Sequence, residues 1–446
     1  MAIKIGMVSL GCPKNQVDAE RMLADLKAAD FEITNEEDSA DVIIVNTCGF
    51  IESAKAEAIE NIIEVSAFKE SGNLKALIVT GCLAERYKDQ ILSEIPEVDS
   101  VVTIGANDKI VEIVNAALEG KNDLYLAEKE ELKLTGDRIL TTPFYTAYLK
   151  VAEGCNNRCT YCAIPDIRGN FRSLPIEDCV AEAKKLAEKG VKELVVVAQD
   201  TTNYGADIYG KPSLPELLKE LVKIDGIHWV RTLYTYPDKI TDELLDLIAT
   251  EEKLVPYLDI PIQHASDKIL KKMNRKGSSA ELETLILKIR EKIPNVTLRT
   301  SLITGFPGET EEDFTILAEF VNKIRFDRLG CFAYSEEEGT PAAEFENQVE
   351  PQLRQDRSEN IMNDQMTIAE EKNEEKIGST VEVLVEGYDS YIKCFYGRSA
   401  ADAPDIDGKV FFTSKTPLVL GEYVKVLIND CLEYDLLGEK IDEPTE

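Results

Sequence analysis

Cys155, Cys159 and Cys162 stand in one short run, Gly154-Cys155-Asn156-Asn157-Arg158-Cys159-Thr160-Tyr161-Cys162, with C-x3-C-x2-C spacing. Three thiolates so close in sequence can wrap one face of a [4Fe–4S] cluster. Such clusters usually take four cysteines, and three leave one iron open, as a catalytic metal site keeps a position free. A chelating ligand with adjacent amine and carboxylate, such as S-adenosylmethionine (SAM), can take that position. Zinc is the competing reading, but zinc sites favour a second Cys or His pair and none lies nearby. The chain has only two histidines, His228 and His264, so a His-rich zinc or non-haem iron site is excluded by inventory.

Three further cysteines, Cys12, Cys48 and Cys82, are far apart in sequence but share a setting. Each comes a few residues after an apolar strand pattern, in Ser9-Leu10-Gly11-Cys12, Val45-Asn46-Thr47-Cys48-Gly49 and Val79-Thr80-Gly81-Cys82. In an open parallel sheet the strand carboxyl ends gather at one edge, where ligands bind. The three are therefore expected to converge on a second cluster, again with one iron unligated. Adjacent glycines let backbone approach a cofactor. The competing reading is three ordinary buried cysteines. Cys179, Cys331, Cys394 and Cys431 lack convergent partners and are read as packing residues.

Polar residues at the ends of later strands complete the candidate site. Gln199, in Gln199-Asp200-Thr201-Thr202, can grip the SAM ammonium, or the run can cap a helix. Arg299 can pair with the SAM carboxylate or with a barrel-lining acid. Gln263, in Pro261-Ile262-Gln263-His264, is expected to line the pocket, with His264 in a plain hydrogen-bonded role. In Thr304-Gly305-Phe306-Pro307-Gly308-Glu309-Thr310, Gly305 and Gly308 allow close backbone approach, and the following helix should offer free N–H groups. No catalytic side chain is assigned beyond the cluster ligands.

These residues need a scaffold. Strand and helix patterns alternate from Ile3–Ser9 through helix 16–29, Val42–Val45, helix 51–66 and Ala76–Val79, which implies a doubly wound parallel sheet. A linker near 132–142 precedes six strand patterns: 147–151, 194–198, 229–233, 257–260, 297–303 and 329–334. With helices between them they predict an open, partial (β/α)6 barrel, since eight strands would need more chain. A charged helix covers 351 to about 376. Beyond Ile377, alternating short strands broken by Gly387, Gly397, Gly408 and Gly421 predict a small antiparallel β-barrel. The fold class is thus α/β with a β-barrel tail, divided at 1–135, 141–372 and 375–446.

Composition bounds the rest. The 446 residues suggest two to four domains. No run of about 18 apolar residues would span a membrane, and the N-terminal residues lack a signal-peptide pattern, so a cytoplasmic protein without structural disulfides is expected. The Asn295-Val296-Thr297 sequon is then without meaning. A net charge of −33 would repel nucleic acid over most of the surface and suits a basic protein partner or a small molecule.

On these residues the chain resembles a known family. The spacing of Cys155, Cys159 and Cys162, with the aromatic Tyr161 before the last, looks like the radical SAM signature. Adding the N-terminal cysteines and the two barrels, essentially the whole chain resembles the radical SAM methylthiotransferases. The resemblance implies two [4Fe–4S] clusters, SAM, an electron donor and a C-terminal domain of the TRAM type. It places Tyr161, Gln199, Gln263, Arg299, Gly305 and Gly308 near SAM, the two glycines by its adenosyl part. The segments from Val8 to Asp18 and from Tyr334 to Pro341, and Gly397-Arg398-Ser399 with Ala401-Asp402-Ala403-Pro404, resemble one branch. Its members add a methylthio group to the β-carbon of an aspartate in small-subunit ribosomal protein S-twelve. That C–H is unactivated, so radical chemistry is implied. The alternatives are a tRNA adenosine methylthiotransferase and a non-enzymatic iron–sulfur protein. From Lys376 onward seven Lys or Arg face fourteen Asp or Glu, a net of −7. A barrel that held tRNA should be basic; this one suits a basic ribosomal protein, with Asp402, Asp405 and Asp407 as expected exposed docking acids.

Overall fold

Val42–Thr47 and Ala76–Gly81 are buried along their whole length, and such uniformly apolar runs belong in a parallel sheet covered on both faces. In the computed structural model, which describes residues 2–441, they are the centre of the N-terminal sheet. Its spatial order is Glu32–Ile33, Lys4–Ser9, Val42–Thr47, Ala76–Gly81, Ser100–Val102 and Asp123–Tyr125, all parallel. The expected doubly wound sheet is present, extended by strands of two or three residues that are too short to carry a period-2 pattern. Helices Pro13–Ala28 and Ile110–Leu118 cover one face, Glu52–Ser66 and Cys82–Glu94 the other. The first helix starts at Pro13, ahead of the expected Gln16, because proline is preorganised for the first helical position and Cys12 occupies the N-cap.

The middle of the chain forms the expected open barrel of six parallel strands. Thr146–Lys150, Glu193–Val197 and Trp229–Thr232 make one half, and Tyr257–Asp259, Thr297–Thr304 and Arg328–Ala333 the other. A bridge between Val230 and Leu254 joins them. An open sheet has two edges that need covering. Helix Pro13–Ala28 packs on the edge strand Thr146–Lys150, and the long helix Pro351–Glu374 on the other edge, Arg328–Ala333. The linker before the barrel is no loose tether. Arg138 is buried and paired with Glu20 and Glu182, and Leu132 packs with Cys82 and Ala163. Among the described residues no helix is long and apolar enough to cross a membrane.

Five strands close the C-terminal barrel in the order Thr380–Asp389, Cys394–Ser399, Val410–Thr413, Asp435–Lys440 and Tyr423–Leu432. It is not wholly antiparallel as expected: Val410–Thr413 and Asp435–Lys440 run parallel. An odd number of strands cannot alternate direction around a closed barrel, so one neighbouring pair must run parallel. Gly387 and Gly397 lie inside strands instead of breaking them, each where a Cβ would strike the neighbouring strand. Residues 442–446, counted in the expected last unit, and residue 1 of the first lie outside the described residues.

This barrel caps the end of the six-stranded sheet at which the strands begin. Arg398 pairs with Glu193, Asp402 with Arg328, and Asp407 accepts from the Tyr257 hydroxyl at 2.6 Å. The expectation that Asp402, Asp405 and Asp407 are free docking acids is therefore corrected. Asp402 and Asp407 are buried between the two barrels, and Asp405, though exposed, accepts from the Tyr148 hydroxyl at 3.3 Å. The charges of Asp402 and Asp407 serve cations of this chain, Arg328 and Arg299. Asp430, Glu433 and Glu439 remain exposed on the C-terminal barrel.

Glu193 is the pin of this contact. Its carboxylate meets Arg398 at 2.6 Å and Arg231 at 3.0 Å, all three buried. Burial alone would raise its pKa, but Arg398 and then Arg231 outweigh it and hold the group down to about 2, against 4.5 for an ordinary glutamate. A carboxyl depressed on folding stabilises fully above its unfolded pKa, and that share is lost as pH falls through the folded one. The shift corresponds to about 3 kcal/mol. Thermal unfolding across pH should therefore show Glu193→Gln destabilised by about that amount at neutral pH. The gap to wild type should close between pH 4.5 and 2. A gap independent of pH would place the effect elsewhere.

Candidate functional site

The strand Thr146–Lys150 and its extension Ala152–Glu153 deliver the chain to Gly154, beyond which Arg158 takes a left-handed φ of 52°. The loop that follows is fixed mostly from outside. Cys155 N donates to Gly169 O at 3.2 Å, Thr160 N to Met273 O at 3.1 Å and Asn274 Nδ2 to Arg158 O at 2.9 Å, while Thr160 O accepts from Ala342 N at 2.9 Å. Asn157 donates to Asp200 at 2.7 Å. So held, Cys155, Cys159 and Cys162 share one electrostatic neighbourhood. Burial, then neighbouring negative charge, pushes Cys155 and Cys162 above the ordinary thiol range; that charge is Asp200 and Cys159 for the former, Cys159 and Cys155 for the latter. A metal centre would offset that cost, because ligation deprotonates thiols. Cys159 Sγ lies 3.4 Å from the Tyr236 hydroxyl and 3.9 Å from Arg275 Nη1, and the Arg275 guanidinium stacks 3.8 Å from the centre of the Tyr236 ring.

The N-terminal cysteines come together at the finishing ends of their strands. Cys12 caps one helix, Cys48 follows Val42–Thr47, and Cys82 opens the helix Cys82–Glu94. Their glycines explain the close approach. A Cβ on Gly11 would lie 3.0 Å from Cys48 Cβ and 3.4 Å from its Sγ; one on Gly49 would lie 2.9 Å from the Cys82 carbonyl carbon. Each glycine beside one cysteine makes room for the next cysteine's loop. Burial pushes Cys82 up to about 11 against the pull of Arg168, and raises Cys48. Cys12 is held below the ordinary range because Lys14, then Arg168, outweigh its burial. Among the described residues no three His, Cys, Asp or Glu side chains are placed to grip a single ion. A zinc tetrahedron needs its sulfurs about 3.8 Å apart, whereas a cluster occupies the space between thiolates and fits a wider set.

One buried network ties Cys82 to Glu153, two residues ahead of Cys155. Arg168 donates to Cys82 Sγ at 3.5 Å, to Asn15 Oδ1 at 2.9 Å, to Asp18 at 2.6 Å and to Glu153 at 3.2 Å. Lys150 pairs with the same Asp18 and Glu153. Glu153 accepts from Gln199 Nε2 at 2.7 Å. Two cations thus balance two carboxylates, and Lys150, then Arg168, keep Glu153 ionised against its burial. Removing one member leaves an uncompensated buried charge, worth about 3–5 kcal/mol. Arg168→Leu should lower the unfolding free energy by about that much, read from denaturant melts. A change within about 0.5 kcal/mol would refute the role.

The remaining expected residues divide. Gln199 borders the network, and its Oε1 is buried with no donor; an ammonium such as that of SAM fits this orphaned acceptor. Asp200 does cap a short helical turn, accepting from Asn203 N at 3.2 Å. Gln263, at φ 71°, pairs through its backbone with Ser301 and Ile303. His264 is fully buried and takes the plain role expected of it, with Nε2 3.2 Å from Glu309 and Nδ1 accepting from Ser266 N. Arg299 pairs with Asp259 at 2.8 Å, toward the starting end of its strand, while the cysteines gather at the finishing ends. Tyr161 packs beside Met273 and Phe306. What approaches Gly305 is Arg354, and what approaches Gly308 is the Lys272 ammonium. At the helix N-terminus there, Thr310 and Asp313 cap each other's N–H groups, and Glu309 takes the Gly305 N–H ahead of it. Sequence reasoning missed Arg168, Glu153, Tyr236 and Arg275, none of which stands in a metal-ligand spacing. Lys14 and Glu153 carried a local signal, each standing two residues from a cysteine, Cys12 and Cys155.

The comparisons agree with this layout. The Radical SAM superfamily matches residues 149–321, the Uncharacterized protein family UPF0004 residues 4–103 and the TRAM domain residues 377–441. Ribosomal protein uS12 methylthiotransferase RimO of Desulforamulus reducens is 52% identical over 439 residues, covering 98% of this chain and 99% of that protein. The protein of that name from Acetivibrio thermocellus is 51% identical, with 100% of each chain covered. Among solved structures, the radical S-adenosylmethionine methyltransferase TsrM from Kitasatospora setae superposes with a TM-score of 0.58 at 14% identity, over 87% of this chain and 82% of that one. That likeness speaks for the fold alone. With its whole length matched at such identity, the chain belongs to the RimO family of radical SAM methylthiotransferases.

Proposed function

We propose that this chain transfers a methylthio group to the β-carbon of an aspartate in ribosomal protein uS12, in the cytoplasm, with SAM and two [4Fe–4S] clusters. Cys155, Cys159 and Cys162 would hold the cluster that binds SAM; Cys12, Cys48 and Cys82 would hold the second. The observation that carries this reading is the buried network from Cys82 through Arg168 and Glu153 to Gln199, which ties the N-terminal set to the strand end that precedes Cys155. When bound, these groups supply the one-electron chemistry that opens an unactivated C–H bond. The chain's own residues position and shield. Gln199 offers its free oxygen to the SAM ammonium, Tyr236 and Arg275 fix Cys159, and Arg168 fixes Cys82. An external electron donor is required. The acidic exterior, with Asp430, Glu433 and Glu439 exposed on the C-terminal barrel, favours a basic protein over tRNA.

The test is anaerobic incubation of the reconstituted protein with SAM, dithionite, uS12 and bulk tRNA, followed by mass spectrometry. One methylthio group on a uS12 aspartate, and none on tRNA, is expected. Modified adenosine with untouched uS12 would transfer the substrate assignment to tRNA. Absence of SAM cleavage would favour a non-enzymatic iron–sulfur protein.

A further inference from the structure

Lys14 is a buried cation without an acid. The residue is 7% exposed, and among the described residues no carboxylate lies within 4.0 Å of its ammonium. Nζ instead sits 3.4 Å from the centre of the Tyr234 ring. A cation–π contact recovers only part of the cost of desolvating an ammonium. The buried cations Lys150, Arg138, Arg168, Arg231 and Arg398 have a carboxylate partner, whereas Arg275, on the Tyr236 ring beside Cys159, lacks one as Lys14 does.

Its place gives the vacancy a direction. Lys14 lies two residues from Cys12, in the first turn of the helix that Cys12 caps. Tyr234 lies two residues from Tyr236, whose hydroxyl is 3.4 Å from Cys159 Sγ. Two residues span about 7 Å, so this segment reaches from the Lys14 ammonium to the central cysteine set. Thr201 N donates to Tyr234 O at 2.9 Å, which ties the segment to the run that begins at Gln199. The ammonium therefore stands beside the N-terminal set, on a ring whose segment leads to the central one.

We propose that Lys14 receives the side-chain carboxylate of the substrate aspartate and so selects an acidic residue and positions the adjoining β-carbon. This rests on the uS12 reading above. An asparagine of the same shape would leave the ammonium without a carboxylate, and a site built around a charged hydrogen bond rejects the analogue that lacks it.

The experiment uses the full chain with its iron reconstituted, and two synthetic uS12 peptides that differ only in Asp or Asn at the modified position. Anaerobic calorimetry should show wild type preferring the Asp peptide by on the order of tenfold to a hundredfold. Lys14→Met should bind both peptides alike with iron content unchanged, and Lys14→Arg should keep part of the preference. A preference undiminished in Lys14→Met overturns the proposal. So does iron loss in that variant, because the ammonium would then serve the thiols. Wild type that methylthiolates uS12 without preferring Asp refutes the role of Lys14 but leaves the substrate reading intact. Wild type that neither binds the peptides nor modifies uS12 refutes both.

Discussion

Replacing Cys155, Cys159 and Cys162 together by alanine should leave about four of about eight irons per chain and abolish SAM cleavage. The loop does not depend on its thiols for shape. Its fixed points are the backbone bonds to Gly169, Met273 and Ala342 and the Asn157 and Asn274 amides. Cys155 and Cys162 accept backbone N–H groups, of Asn157 and Ile164; Cys159 meets the side chains of Tyr236 and Arg275, and Arg275 keeps its bond to Pro261 O and its stacking when the sulfur is gone. The triple variant is thus expected to fold, with circular dichroism unchanged, and to have lost one centre only. SAM cleavage at the wild-type rate in that protein would show that SAM is activated elsewhere. Full iron content would show that these thiols hold none.

Replacing Cys12, Cys48 and Cys82 by alanine should also halve the iron, but with the opposite division of activity. Cleavage of SAM to 5′-deoxyadenosine should persist without substrate, and methylthio transfer should disappear. Arg168 supports that separation. It loses Cys82 Sγ as an acceptor yet keeps Asp18, Glu153 and Asn15, so Glu153 and Gln199 stay in place on the barrel side. Gly11 and Gly49 would face smaller side chains, which costs no space. Equal loss of cleavage and transfer would mean that the two sets do not act independently.

Much of the site was legible because thiolate chemistry is local in sequence. The C-x3-C-x2-C run marks one candidate centre without any fold. The recurrence of a cysteine just past three apolar strands marks a second candidate, since parallel strands must bring their carboxyl ends to one edge. Long elements were equally legible: Val42–Thr47, Ala76–Gly81 and the helix Pro351–Glu374 carry patterns long enough to read. The short strands Glu32–Ile33, Ser100–Val102 and Asp123–Tyr125 were not, because their pairing is supplied by neighbours.

What tertiary structure alone decided is which charges meet. Asp402 and Asp407 look like solvated acids in a net-acidic tail, yet their side chains are buried against Arg328 and Tyr257, 74 and 150 positions away along the chain. Arg168 is an unremarked basic residue until the fold sets it between Cys82, Asp18 and Glu153. Composition and spacing determine which side chains are available and which lie close along the chain. The free energy of a buried charge depends on what stands a few ångströms from it in space, and for this protein those neighbours come from other elements. The sequence by itself therefore determined the candidate cluster ligands and the kind of fold; only the packing of the three units decided which buried cations and acids surround them, and that Lys14 is left without a carboxylate.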